Sequence, residues 1–368
     1  MIGEDQEAMT EKVLTILSIN PGSTSTKIAV YENKKEIFRK TMEHSAEEIA
    51  QYKSMVDQFP MRKKAIMACL QEANFPVAKL SAVAGRGGKL PPLKQGAYLV
   101  NKDMIDFLTY RPIDDHASNL GAIIAYDIAA PLNIPAYIYD AVVVDELEEI
   151  ARLTGVPEMT RRASCHVLNM RAVALKTAQK MNRNFQDMNF VVTHMGGGIT
   201  ATVISGGKMI DVLTDEEGAF SPERAGRVPC RQLVNLCFSD QHNCDSAIKR
   251  MRGKGGLVAY LGTNKALEVE EQIEKGDEYA QLIYQGMAYQ AAKGIGELAT
   301  VVKGKVDVII ITGAIAYSKM VTNWITERVQ FIAPVEIIPG ENELESLAFG
   351  VLRVLNGEEI DHEFVAPE

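Results

Sequence analysis

The chain repeats itself. Residues 16–37 read ILSINPGSTSTKIAVYENKKEI, and residues 190–211 read FVVTHMGGGITATVISGGKMID. A shift of 174 positions, the distance from Asn20 to His194, aligns them without a gap. Gly22 falls on Gly196, and Ile28, Val30 and Asn33 fall on Thr202, Ile204 and Gly207. Each copy is an apolar run, a Gly/Ser/Thr turn and a second β-rich run. A two-residue polar turn comes next, Asn33-Lys34 in one copy and Gly206-Gly207 in the other. Such alternation around short turns is the signature of hairpins. A duplicated unit of this kind requires two domains with the same opening, and 368 residues are enough for two.

Beyond each hairpin the chain alternates between helical and strand patterns. EEIAQYKSMVDQF, MRKKAIMACLQEANF, NLGAIIAYDIAAPL, EYAQLIYQGMAYQAAKGIGELATVV and ELESLAFGVLRVLNG read as helices by their i, i+3, i+4 spacing. LSAVAGRGG, PAYIYDAVVVDEL, VDVIIITGAIA and VEIIPG read as strands. The class is therefore α/β.

Charge and composition narrow the function. Lys and Arg number 39 and Asp and Glu 48, a net charge of −9 without any basic block. That field repels phosphate backbones and argues against nucleic-acid binding. The longest apolar-rich stretch, 120–144, is broken by Asp127, Pro131, Asn133, Pro135 and Asp140, so no membrane span is expected. The acidic opening MIGEDQEAMTEK has no apolar core, so it reads as a short disordered lead-in and not as a secretory signal. Five sparse cysteines predict a reduced, cytoplasmic protein. Cys230, Cys237 and Cys244 recur every seven residues near His242. That spacing lacks the C-x-x-C chelate of structural zinc and reads as one face of a helix.

Three motifs in order, N-P-G-S-T-S-T-K at 20–27, T-H-M-G-G-G-I-T at 193–200 and I-I-I-T-G-A-I-A at 309–316, resemble the two phosphate motifs and the adenosine motif of the acetate kinase (acetokinase) family. That family lies in the superfamily of sugar kinases, heat-shock chaperones and actin. Asn-Pro-Gly in place of Asn-Ala-Gly, and Gly85-Arg86-Gly87-Gly88 in place of a longer loop, resemble the butyrate and branched-chain fatty acid kinases of the family. The resemblance implies two duplicated ribonuclease H-like (actin-like ATPase) domains with an interdomain cleft. It implies an N-terminal domain of 13–155 plus 344–368 on the acid side, and a C-terminal domain of 156–343 on the nucleotide side. It also implies self-association.

The residues themselves fit phosphate chemistry. After an apolar strand, Gly22 exposes backbone N–H groups, Ser23, Thr24 and Ser25 add hydroxyls, and Lys27 adds charge. A Ser/Thr-rich turn with no function is the plain alternative. Its recurrence from His194 through Gly196, Gly197 and Gly198 favours a phosphate cradle, because three glycines admit close backbone approach. Gly313 ends an apolar strand at a place where ligands sit in α/β sheets. The resemblance implies adenosine binding at Gly313, Ala314 and Ile315, and phosphate contacts from Asn20, Ser23, Ser25, Lys27 and His194.

Most arginines and histidines are solvated or structural, yet phosphoryl transfer needs cations around the equatorial oxygens. The resemblance supports Arg227, in S-P-E-R-A-G-R-V-P, as the catalytic arginine and Arg86 as its substrate-side counterpart. It places His116 and His166 at the site as hydrogen-bond donors, with His166 on the transferred group. Asp140 closes the apolar run A-Y-I-Y-D, where a carboxylate is costly unless paired. It reads as a ligand of Mg²⁺ or a partner of a catalytic arginine, or else as a helix cap. Glu343 matches the family's glutamate near Mg²⁺, with Glu341 as the neighbouring alternative.

The expected reaction moves the γ-phosphoryl group of ATP to a short-chain fatty acid, butyrate before branched-chain acids, propionate or acetate, giving an acyl phosphate and ADP. A carboxylate is ionised at neutral pH and needs no general base, only positioning and charge neutralisation. A sugar kinase would need a base, for which Asp140 is the candidate. A nucleotide-driven clamp would need a client-binding domain. A dehydrogenase is disfavoured because no G-x-G-x-x-G comes after the first strand.

Overall fold

A computed structural model describes residues 13–367, so the expected lead-in over 1–12 lies outside the described residues. The described chain divides into two units. One holds residues 13–91, 96–141 and 343–367, and the other holds 92–95 and 142–342. The chain thus leaves the first unit after Ala141, earlier than the expected 155, and returns to it at Glu343.

In the first unit, β1 (Thr15–Pro21), β2 (Ser25–Glu32), β3 (Lys35–Glu43), β4 (Ala82–Arg86), β5 (Ala97–Leu99) and β6 (Ala136–Tyr139) form one sheet with the short strand His362–Glu363. The order is His362–Glu363, β5, β6, β4, β1, β2, β3. β1 lies antiparallel to β2 and parallel to β4, which is parallel to β6. Every residue of β1 is buried, as a strand covered on both faces requires. The helix Asn119–Ala129 covers one face. It comes so close that a Cβ at Gly85 would strike the carbonyl of Gly121, and one at Gly121 would strike the carbonyl of Arg86. The next residue along β4, Arg86, points the other way, toward Glu343 at the start of the helix Glu343–Leu355.

In the second unit, β7 (Phe190–Met195), β8 (Ile199–Ser205), β9 (Lys208–Leu213), β10 (Val308–Gly313) and β11 (Val335–Pro339) run in the order β11, β10, β7, β8, β9. Side chains alternate between two cores. Val191, Ile309 and Ile311 join Tyr284, Met287 and Ile295 of the helix Glu278–Val301. Phe190, Val192 and Ile310 join Met170 and Val173 of the helix Val167–Lys180.

The two sheets share the arrangement β3-β2-β1-β4-β6 and β9-β8-β7-β10-β11, so the repeat is architectural. The ungapped alignment needs one correction. Pro21 pairs with Thr26 but Met195 with Ile199, so the second loop is one residue shorter. Past the loop, Ile28, Val30 and Asn33 therefore correspond to Ala201, Val203 and Gly206. A β-bulge confirms this register: it lies between Val30 and Tyr31 in one copy and between Val203 and Ile204 in the other.

Two other expectations fail locally. Residues 47–59 do not form a continuous helix; only Ala46–Ile49 and a turn at Val56–Gln58 are helical before the helix Phe59–Glu72. Between them Ser54 and Asp57 bond each other's backbone N–H groups, at 3.3 and 3.0 Å, which competes with the helix ladder. The strand expected through 135–147 stops at Tyr139, because Asp140 adopts φ +42°. Cys230 and Cys237 bound one helix and Cys244 opens another, so the seven-residue spacing does not mark a single helical face. Among the described residues, no helix is long and apolar enough to cross a membrane.

Candidate active site

Parallel β1, β4 and β6 bring Asn20, Arg86 and Asp140 to their carboxyl ends. Asn20 Nδ2 donates to one oxygen of Glu343, and Arg86 Nη1 pairs with the other. Glu343 is the first residue of its helix, where the helix dipole favours an anion. Lys27 stands opposite Asn20 in the β1–β2 ladder and is exposed. Asp140 is 3 % exposed, and its Oδ1 accepts from Gly96 N at 2.7 Å. It is a non-glycine residue at positive φ with a buried carboxylate at a strand end, a conformation that costs about 1–3 kcal/mol.

The loop after β1 has a definite polarity. Gly22 N closes on Ser25 O at 2.7 Å. The carbonyls of Gly22, Ser23 and Ser25 accept from Arg62 at 2.8–3.0 Å. The carbonyl of Thr24 accepts from His44 N at 2.8 Å. With the carbonyls turned in, the exposed N–H groups of Ser23 and Thr24 find no acceptor among the described residues. The loop after β7 repeats the design. Gly196 N closes on Gly198 O at 2.9 Å, and Gly197 O accepts from Ser221 Oγ at 2.8 Å and Glu223 N at 3.2 Å.

His194 is the penultimate residue of β7 and is 1 % exposed. Asn169 Nδ2 donates to its Nδ1 at 3.0 Å, so Nε2 carries the proton and donates to Glu341 at 3.0 Å. Asn169 Nδ2 also donates to Thr312 Oγ1 at 3.1 Å. The His166 ring stacks on His194, with centroids 3.8 Å apart and planes 10° from parallel, and its Nδ1 bonds Thr200 Oγ1 at 3.0 Å. Gly313 adopts φ +92° against the Met195 backbone, with no room for a Cβ.

Several expected site residues lie elsewhere or act otherwise. Arg227 is 54 % exposed and pairs with Glu297 at 2.9 Å. The arginine beside the glycine loop is Arg224, whose Cγ lies 4.0 Å from where a Cβ on Gly198 would stand. It is clamped by Asp215 at 3.0 Å and Glu223 at 3.4 Å. Ile315 is buried in the core of the second unit, while Ala314 is exposed. His116 is exposed and accepts from Ser118 N at 3.2 Å. Of the two candidates for the metal-side glutamate, Glu341 accepts from His194 in the second unit and Glu343 meets Asn20 and Arg86 in the first.

Sequence reasoning missed Arg62, Asn169 and Arg224. Arg62 had a signal. It shares the apolar stripe of Ile66, Cys69 and Leu70, where a charged residue is out of place. Among the described residues no three His, Cys, Asp or Glu side chains converge as a metal cage. One or two carboxylates such as Asp140 and Glu343 fit Mg²⁺, which keeps waters and phosphate oxygens as its other ligands.

The acetokinase family profile matches residues 119–347. Butyrate kinase 2 of Clostridium acetobutylicum is 50% identical over 346 residues, covering 94% of this chain and 97% of that one. Among solved structures, acetate kinase of Porphyromonas gingivalis superposes with a TM-score of 0.77 at 17% identity, covering 93% of this chain and 100% of that one. A propionate kinase of Francisella tularensis gives 0.69 at 16% identity, covering 92% and 98%. These likenesses give the fold as duplicated actin-like ATPase domains.

Proposed function

This chain belongs to the acetokinase family, and from that premise we propose that it is a short-chain fatty acid kinase acting on butyrate. It transfers the γ-phosphoryl group of ATP to the carboxylate of the acid, and forms ATP from the acyl phosphate in reverse. The observation that carries the reading is the matched polarity of the two loops. Each opens on a glycine whose N–H closes the turn, and each leaves amides facing out for anionic oxygen.

In this reading Ser23, Ser25 and Lys27 hold one phosphoryl group, and Gly196–Gly198 hold another. Arg224 takes the role first read for Arg227, since it is the arginine packed on the glycine loop. Its planar guanidinium suits the equatorial oxygens of the transferred group. Arg86, poised by Glu343, orients the acid carboxylate. His166, whose Nδ1 is tied to Thr200, presents Nε2 to oxygen. Mg²⁺, held through Asp140 and Glu343, supplies charge neutralisation of the phosphates when bound. The five free cysteines fit a reducing cytoplasm. Self-association belongs to the same reading, and a mass from light scattering tests it.

Hydroxylamine trapping tests the reaction. With Mg-ATP and acetate, propionate, butyrate, isobutyrate or isovalerate in turn, hydroxamate formation is expected to peak at four carbons. Folded, ATP-binding protein that yields no hydroxamate with any acid refutes the proposal.

A further inference from the structure

Arg62 is the largest fully buried side chain of the described residues. It lies in the first turn of the helix Phe59–Glu72, the end where the helix dipole disfavours a cation. A buried guanidinium ordinarily pairs with a carboxylate. Among the described residues none forms an ion pair with it; Glu48 acts on it only at longer range. Its five donors go instead to neutral acceptors. Nη1 donates to Gly22 O, Ser25 O and Thr26 Oγ1 at 2.8–3.0 Å, and Nη2 to Ser23 O at 3.0 Å and Gln58 Oε1 at 2.8 Å. Nε completes the set on Gln58 Oε1 at 3.1 Å.

A positive charge placed this way, against both burial and the dipole, costs stability. Its effect is to pull three carbonyls of one loop inward and leave a positive potential beneath the outward amides. Among the described residues the second loop has no such floor. The carbonyl of Gly197 is held by a hydroxyl and an N–H, and the carboxylates of Glu223 and Asp215 close to Gly197 and Gly198 are paired with Arg224 instead of facing a buried unpaired cation. The two copies of one fold therefore differ in the charge under their loops.

We propose that Arg62 is a positioning residue. Its buried guanidinium holds the Gly22–Ser25 loop as a cationic cradle, and the missing counter-ion is a phosphoryl group resting on the amides of Ser23 and Thr24. The inference rests on the phosphoryl-transfer reading above and adds a residue that does not touch substrate.

Hydrogen exchange of the peptide covering 22–26, with and without inorganic phosphate, tests it together with kinetics of Arg62→Lys. In the unmodified protein phosphate slows exchange there. In Arg62→Lys that protection disappears and kcat falls about a hundredfold, as misplacement of a positioned group does. A purely structural Arg62 would lower the melting temperature but leave kcat of the folded fraction and the phosphate protection alone. That outcome overturns the proposal, as does absence of protection in the unmodified protein. Should Arg62→Lys not fold, Gln58→Ala replaces it, because it removes the acceptor that aims the guanidinium and keeps the charge. The same losses in smaller degree support the proposal, and unchanged protection and kcat overturn it. Phosphate protection needs no acid substrate. A chain that shows protection and phosphorylates no acid thus refutes the kinase reading and leaves this one standing.

Discussion

Arg224 and Arg227 are three residues apart in one loop, and only their surroundings distinguish them. Replacing each by alanine separates the roles. Arg227 and Glu297 form a pair whose side chains are 54 % and 48 % exposed, so losing it costs about 0–1 kcal/mol of stability. Arg227 Nε also donates to Glu217 O at 2.8 Å, a surface bond that water replaces. Turnover is expected to stay near the parent value. Arg224 is 20 % exposed, paired with an Asp215 that is 14 % exposed, and packed on Gly198. Among the described residues its loss leaves Asp215 with the longer contact to Arg252 at 3.7 Å. A half-broken charge pair of this burial costs about 1–3 kcal/mol of stability. If its guanidinium meets the transferred group, kcat falls about 10²–10³-fold, or about 2.7–4 kcal/mol. The assay is hydroxamate formation at saturating butyrate and Mg-ATP, with circular dichroism to confirm folding. Arg227→Ala as crippled as Arg224→Ala, or Arg224→Ala with near-parental turnover, would refute the assignment.

Gly121→Ala should destabilise the first unit by about 3 kcal/mol in urea unfolding, because its Cβ lies within 2.9 Å of Arg86 N and nearer still to Arg86 O, and backbone cannot rotate away. An aromatic disulfide reagent should titrate the exposed Cys230, Cys237 and Cys244 quickly, and Cys69 and Cys165 only on unfolding. Burial pushes the Cys165 thiol up to about 12, and five fast thiols would refute the packing. Burial, with Arg62 next to it, lowers the His44 pKa. The unfolded chain then takes up that proton first, from about pH 6.5 downward. The histidine's contribution is complete above that pH and is lost as pH falls through it. His44→Gln should flatten the fall in stability between pH 7 and 5, and an unchanged slope would exclude His44 as its source.

The parts of the molecule governed by period and turn chemistry are legible in the sequence. β1, β7, β10 and the helices Glu278–Val301 and Glu343–Leu355 stand where apolar spacing puts them, since burial on one or two faces leaves a repeating trace. The illegible parts depend on contacts between distant segments. The one-residue difference between loops shows only in strand register. Sequence alone does not tell the two arginines of this loop apart, because both sit in the same punctuated stretch, whereas packing on Gly198 distinguishes Arg224. Asn169 fixes the His194 tautomer from 25 positions upstream, a relation with no local pattern. Cys230–Cys237 and Cys244–Met251 are amphipathic yet bury almost nothing, so their apolar stripe does not mark a core.

The duplication separates the properties a fold fixes from those a site adjusts. Strand order, hairpin register apart from one residue, and even the bulge between Val203 and Ile204 repeat across the two units. These are backbone properties, and both sheets need them to bury a first strand on two faces. The penultimate residue of each first strand does not repeat. Asn20 meets a carboxylate and an arginine, whereas His194 meets an amide, a glutamate and a second imidazole. Nor does the group under each loop repeat, being a buried guanidinium in one and a hydroxyl in the other. Outward amides alone cradle an anion weakly, since each is only a partial charge. A full positive charge beneath one loop makes that loop the stronger anion site. Under the proposed reading the transferred phosphoryl group is therefore the one placed on the Gly22–Ser25 loop. In the same reading the amides of the glycine loop suit the phosphates that stay with the nucleotide, and Arg224 is left for the transferred group.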